Sequence, residues 1–214
     1  MRYNGRICCD NEFGARLIGG QTRTAGIHRC LYYAFFMAIM TGALAQIRVQ
    51  LPWTPVPLTG QTIAVLVSGY LLGRWWGGVS QLIYLVGGVG GIPWFSEWKG
   101  GLAVFSGPTS GYLIGFVLAA LFMGEAFHRM RKPTVLKIVV TTSAANFILI
   151  YIPGLIQLRA WVANINGVDP SVPDLLRLGA LPFVFHDLLK ISFCSSLIYH
   201  CRKGRPANFG KIGC

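Results

Sequence analysis

Long apolar runs alternate with short polar or glycine- and proline-rich breaks along most of the chain. The runs cover about residues 31–48, 58–73, 75–95, 102–124, 134–160 and 178–200. A membrane-spanning helix needs roughly 20 mostly apolar residues, so the pattern predicts an all-α membrane protein with six transmembrane helices. The second run is short and glycines interrupt the third, so we expect those two helices to be tilted or broken.

Composition favours the same class of protein. The chain is 53% hydrophobic and 12% charged, with a mean hydropathy of +0.53, whereas soluble domains carry about 25% charged residues. We expect one membrane domain over residues 31–200, between basic tails at 1–30 and 201–214. The first tail has no apolar stretch, so a cleaved signal peptide is not expected.

The positive charges are distributed unevenly about the six predicted spans. Most of the 19 lysines and arginines lie in the two tails, near residue 74 or between residues 125 and 137, which share one side of the membrane. The positive-inside rule therefore predicts a multi-pass plasma-membrane protein with both termini in the cytoplasm. We attribute the net charge of +12 to this topology and to contact with anionic lipid, and not to nucleic acid.

An acid–base pair inside the last apolar run is the first candidate for ligand binding. Asp187 and Lys190 lie in LPFVFHDLLKISF, where a charge costs on the order of 2.5–3.5 kcal/mol to insert into a bilayer. Their spacing of three places both side chains on one helix face. The pair is either a structural ion pair that fixes the helix or a polar patch that binds a ligand.

Two segments on the predicted outer side supply further candidates. In the loop SEWKGG these are Trp98, Lys99, Gly100 and Gly101. Trp98 is either an anchor at the membrane interface or part of an aromatic wall over a ligand. Gly100 and Gly101 allow the backbone to approach a ligand closely. Gln61 and Thr62 begin the second run, where they either cap its helix or direct hydrogen-bonding groups into a cavity.

Small residues recur at every fourth position of the first run, at Ala34, Ala38 and Gly42. Such a strip allows a second helix to approach closely in lipid. The second helix belongs either to the same chain or to a partner membrane protein.

Motifs for catalysis and nucleotide binding do not occur. The sequence contains no GxxxxGK[ST], HExxH or GxSxG, and its six cysteines show no CxxC spacing. We therefore expect no catalytic residues, no metal, no cofactor and six free thiols. A secondary transporter or channel, a membrane-embedded enzyme and a structural scaffold are the rival classes.

The chain resembles the BioY family, the biotin-specific S-components of energy-coupling factor (ECF) transporters. The resemblance covers roughly residues 31–200 and is carried by LPWTPVPLTGQTIAVLVSGYLLG, LIYLVGGVGGIPWF, GGLAVFSGPTSGYLIGF and LPFVFHDLLK. It implies the six-helix S-component fold and capture of biotin on the outer side. It also implies a transmembrane T-component and cytoplasmic ATPases as partners.

The resemblance also suggests residue roles. It places Asp187 and Lys190 in the biotin pocket, and it matches Ala34 and Ala38 to the strip that meets the T-component. For apolar contact with biotin we expect Trp94, Trp98, Phe105 and Tyr112. The loop SEWKGG departs from the small or polar residues usual in the family. A different vitamin is the nearest alternative ligand.

Overall fold

The computed structural model describes residues 24–130 and 133–203, and this part of the chain is mostly helical. The helices are α1 Thr24–Gln46, α2 Gln61–Val89, α3 Ser110–Arg129, α4 Val135–Ala144, α5 Tyr151–Asn166, α6 Val172–Gly179 and α7 Leu181–Lys203. A π-helical segment, Ala145–Ile150, joins α4 and α5 into one continuous helix. Two short antiparallel strands, β1 Arg48–Val49 and β2 Leu58–Thr59, lie between α1 and α2. Two 3-10 turns, Ser96–Trp98 and Leu102–Ser106, lie between α2 and α3.

Four helices of the described chain are long and apolar enough to cross a membrane. They are Ile27–Gln46, Ser110–Arg129, Val135–Asn166 and Leu181–Cys201. Large apolar side chains are exposed on their outer faces, including Phe35, Phe122, Ile156 and Phe193. Apolar side chains exposed on every long helix are typical of a multi-pass membrane protein, because lipid contacts these faces.

Helix α2 folds back on itself at Gly73, where φ is 81° and ψ is −176°, a conformation that favours glycine. The two arms on either side of Gly73 pack closely. A Cβ atom on Gly77 would lie 2.7 Å from Cα of Gly69, and Gln81 Nε2 donates a hydrogen bond to Ser68 Oγ at 3.0 Å. Helix α2 therefore supplies two antiparallel passes, and with the four long helices the described part of the chain has six.

The prediction of an all-helical, six-pass fold is confirmed, with shifted boundaries. The first helix already includes Thr24, ahead of the predicted start at 31, and the fold-back at Gly73 adjoins the turn predicted near residue 74. The fourth predicted run starts at 102, but helix α3 begins only at Ser110 because residues before it form a 3-10 turn.

The prediction of free thiols is wrong at one described position. Cys194 and Cys201 are free, whereas Cys30 is disulfide-bonded. A disulfide requires two sulfur atoms to be close in space, which the spacing of cysteines along a chain does not report.

The strip of small residues on α1 packs inside the chain. Ala34 and Ala38 are fully buried, and a Cβ atom on Gly42 would lie 2.9 Å from Cβ of Trp94. The exposed face of α1 is a different one, which carries Tyr32 and Phe35. The strip therefore packs within this chain, and its docking to a partner stays a prediction.

The connections between helices alternate between two ends of the molecule. One end of the molecule holds both described termini and the fold-back at Gly73. The connection between α3 and α4 lies at the same end. The connections at 47–60, 90–109 and 167–180 share the other, which we call the loop end.

Candidate functional site

A cavity of about 460 Å³ opens at the loop end. Its walls come from the α1–α2 connection, the start of α2, residues 95–109, the start of α3, and parts of α5 and α7. Its lining is mainly apolar. The polar side chains in it include Gln61, Thr62, Ser96, Tyr112, Tyr151, Asp187 and Lys190. A concave, mostly apolar site with a few convergent polar groups is the usual form of a small-molecule site.

The Asp187 carboxylate is the most completely bonded group of the cavity, and only 4% of the residue is exposed. Oδ1 accepts a hydrogen bond from Lys190 Nζ at 2.8 Å. Oδ2 accepts from Asn146 Nδ2 at 2.8 Å and from the Tyr151 hydroxyl at 2.6 Å. The pairing of Asp187 with Lys190 that was predicted from their spacing is therefore confirmed.

The unused bonding positions of this pair define what it offers a ligand. A carboxylate oxygen has two lone pairs and an ammonium group has three N–H donors. Both lone pairs of Asp187 Oδ2 are used, whereas Oδ1 keeps one, and two donors remain on Lys190. The pair thus presents one hydrogen-bond acceptor beside two donors.

Two buried hydroxyl groups of the cavity wall have no bonding partner within the described residues. They are Oγ1 of Thr62 and Oγ of Ser96. The neighbouring Gln61 is instead fixed within the protein, because its Nε2 donates to the Tyr84 hydroxyl at 3.0 Å. An unbonded buried polar group costs about 1–3 kcal/mol, so each hydroxyl keeps an unused hydrogen-bonding capacity in a residue of the cavity wall.

A charged cluster lies at the rim of the cavity. The Glu97 carboxylate pairs with Arg48 and with Lys99, whose Nζ lies 2.5 Å from Oε2. The hydrogen bond from Lys99 and the nearby positive charges lower the pKa of Glu97. Gln46 Nε2 donates to the carbonyl oxygen of Phe95 at 3.0 Å, which ties this connection to the end of α1.

Comparison with known proteins assigns the family. The profile of the BioY family matches residues 20–207, which is most of the chain. The chain belongs to the BioY family. Its relatives include a "Probable biotin transporter BioY" of Methanothermobacter thermautotrophicus, 47% identical over 134 residues, covering 61% of this chain and 84% of the relative. The "Biotin transporter BioY" of Thermotoga maritima is 31% identical over 155 residues, covering 72% and 86%.

A solved structure shares the fold. The crystal structure of "the S-component for biotin from an ECF-type ABC transporter" matches with a TM-score of 0.74 at 23% identity. The match covers 87% of this chain and 96% of that one. The six helical passes of this BioY-family protein therefore form the S-component fold.

Most of the site residues predicted from the sequence line the BioY-family cavity. They are Gln61, Thr62, Lys99, Gly100, Tyr112, Asp187 and Lys190. Tyr112 contributes its ring, because its hydroxyl donates to the carbonyl oxygen of Gly179 at 2.8 Å. The structure thus brings together the three predicted segments of the site.

Four predicted residues lie outside the cavity lining: Trp94, Trp98, Gly101 and Phe105. Trp98 has a positive φ of 56° and is 71% exposed, and it does not contribute to the cavity wall. Trp94 packs on Tyr84, to whose carbonyl oxygen its Nε1 donates at 2.9 Å. Gly101, with φ of 91°, leads into the 3-10 turn that holds Phe105.

The sequence-based prediction missed several residues of the site. Ser96, Tyr151, Phe95 and Phe183 line the cavity, and Asn146 bonds Asp187. Asn146 is a polar residue within an apolar run, the same signal that singled out Asp187. Phe95 and Phe183 carry no such signal, because aromatic residues are frequent throughout these runs.

Proposed function

We propose that this protein is the substrate-binding S-component of a biotin uptake transporter. It captures biotin in the cavity at the loop end for import driven by ATP hydrolysis in partner subunits. The observation that carries the proposal is the buried Asp187–Lys190 pair within a cavity of suitable size, in a chain whose relatives are named biotin transporters.

The chemistry of biotin fits the unused bonding positions of the cavity. Its ureido group has N–H donors next to a carbonyl oxygen, which match the acceptor of Asp187 and the donors of Lys190. Its carboxylate tail only accepts hydrogen bonds, so it suits the rim, where Lys99 supplies a positive charge. We therefore orient biotin with its ring at Asp187 and its tail toward Lys99.

Gln61, Thr62 and Tyr112 complete the proposed binding site. Thr62 and Ser96 provide hydroxyls for the polar atoms of biotin, and the Tyr112 ring provides apolar contact. Gly100 allows the backbone of the rim to approach the ligand.

Import driven by ATP would require partner subunits, because the sequence has no phosphate-binding motif of its own. We propose a transmembrane T-component and cytoplasmic ATPase subunits of an ECF transporter in this role. The excess of positive charge in the tails supports an orientation with both termini in the cytoplasm and the loop end outside.

A binding screen of the purified protein against a panel of vitamins tests the proposal. We expect biotin to be retained, and thiamine and riboflavin to be lost on washing. Retention of another vitamin with none of biotin would overturn the substrate assignment. Uptake into vesicles that hold an ion gradient but no ATP would support a secondary transporter instead.

A further inference from the structure

The π-helical segment Ala145–Ile150 changes which side chains share a face of its helix. In an α-helix, residues five apart point in directions about 140° apart. In a π turn the backbone bonds run from i to i+5, which brings such residues close to alignment. Asn146 and Tyr151 are five apart, and both donate to the same oxygen, Oδ2 of Asp187.

The two donors approach the carboxylate from different surroundings. Asn146 is 1% exposed and is not part of the cavity lining, so it reaches Asp187 from within the protein. Tyr151 is also buried, but its side chain contributes to the cavity wall. Together they occupy Oδ2 and leave Oδ1 for Lys190 and a ligand.

We propose that Asn146 and Tyr151 are positioning residues for biotin binding, brought onto one helix face by the π segment. Two donors on one oxygen hold the Asp187 carboxylate in one orientation. A ligand then meets an acceptor that already has its bound orientation, which reduces the ordering required on binding. The inference rests on the proposed function of the cavity.

A double-mutant cycle distinguishes positioning from a purely structural role. We expect Asn146→Leu and Tyr151→Phe each to lower biotin affinity by about tenfold, the effect of losing one hydrogen bond to a charged group. In an Asp187→Asn background, the same changes should alter affinity by less than about twofold, because residues that act through one another are not additive. Equal losses in both backgrounds, or unchanged affinity in the single variants, would overturn the inference.

Thr142→Val is the matched control. Thr142 is fully buried on α4 and its Oγ1 donates to the carbonyl oxygen of Ile138, whereas the donors to Asp187 are Asn146, Tyr151 and Lys190. We expect its biotin affinity to equal that of the unmodified protein. A loss as large as that of Asn146→Leu would show that any buried polar change in this helix impairs binding, which contradicts a positioning role.

Unfolding temperatures measured without ligand make the test independent of biotin. If the unmodified protein binds no biotin, the proposed function fails, but the same cycle still reports whether Asn146 acts through Asp187. Coupled losses of stability show that Asn146 acts through Asp187, whereas additive losses overturn the inference; the loss of biotin affinity is what separates positioning from a purely structural role. Tyr151→Phe removes a single oxygen atom, so it carries the test if Asn146→Leu does not fold.

Discussion

The Nζ atom of Lys190 lies 2.8 Å from Oδ1 of Asp187, within the last helix and beside the cavity. An isolated charge at such a position is costly in a bilayer, and pairing reduces that cost. The same two groups keep unused bonding positions, so the pair is available both to stabilise the helix and to bind a ligand.

Asp187→Asn and Lys190→Ala should each weaken biotin binding by roughly 10- to 150-fold, because each removes a hydrogen bond to a charged group worth about 1.5–3 kcal/mol. Equilibrium binding to purified protein measures the effect. Asp169→Asn is the control, since Asp169 belongs to an exposed ion pair with Arg159 at the same end of the molecule. Unchanged affinity in both variants with reduced expression would identify the pair as structural.

Removing the unbonded hydroxyl of Thr62 or Ser96 should lower the affinity for biotin without lowering the unfolding temperature. Thr62→Val and Ser96→Ala should weaken biotin binding by roughly 2- to 13-fold, the effect of one neutral hydrogen bond worth about 0.5–1.5 kcal/mol. The ligand-free unfolding temperature should not fall, because neither hydroxyl has a partner within the described residues.

Ser80→Ala is the contrasting variant for the two hydroxyl changes. Its Oγ donates to the carbonyl oxygen of Gly77 and accepts from Gln81 away from the cavity. We expect it to lower the unfolding temperature and to leave biotin affinity unchanged. The reverse pattern in either set of variants would refute the assignment of Thr62 and Ser96 to the ligand.

A large residue at Ala38 tests the role of the strip on α1. Ala38→Trp should lower the unfolding temperature and abolish biotin binding, because Ala38 is fully buried within the chain and overpacking typically costs about 1–3 kcal/mol or more. Phe36→Trp, on the exposed face of α1, should be tolerated. If Ala38→Trp instead folds, binds biotin and loses only co-purification with the T-component, the strip is a docking face.

Labelling of single cysteines tests the orientation in the membrane, in a background whose six native cysteines are replaced. Val168→Cys, in the exposed connection at the loop end, should react with an impermeant reagent in intact cells. Arg129→Cys, at the opposite end of α3, should react only after the membrane is opened. The opposite pattern would place the cavity on the cytoplasmic side and contradict capture from outside.

The parts of the fold that depend on local pattern could be predicted from the sequence. Six apolar runs predict six passes because each span needs its own length of apolar chain. Asp187 and Lys190 pair because a spacing of three fixes their relative direction on any α-helix. Gly73 folds the chain back where the sequence places a turn.

The remaining features depend on where the backbone leaves regular geometry. Asn146 and Tyr151 meet at one oxygen only because a π segment lies between them. Trp98 lies outside the cavity lining, in a turn where the backbone has positive φ at Glu97 and at Trp98 itself, which the sequence pattern does not predict. The partner of the small-residue strip could not be predicted either, since a smooth helix face suits any neighbour.

The two arms of α2 are the shortest passes of the fold. At 1.5 Å per residue, the arms 61–72 and 74–89 rise about 18 Å and 24 Å, whereas the hydrocarbon core of a bilayer is about 30 Å thick. With the fold-back at one membrane surface, the arm that begins at Gln61 ends well below the other surface. The cavity at the start of that arm then lies below the outer level of the longer helices. A ligand bound there would begin its passage part of the way across the membrane, so the distance left to cross would be correspondingly shorter.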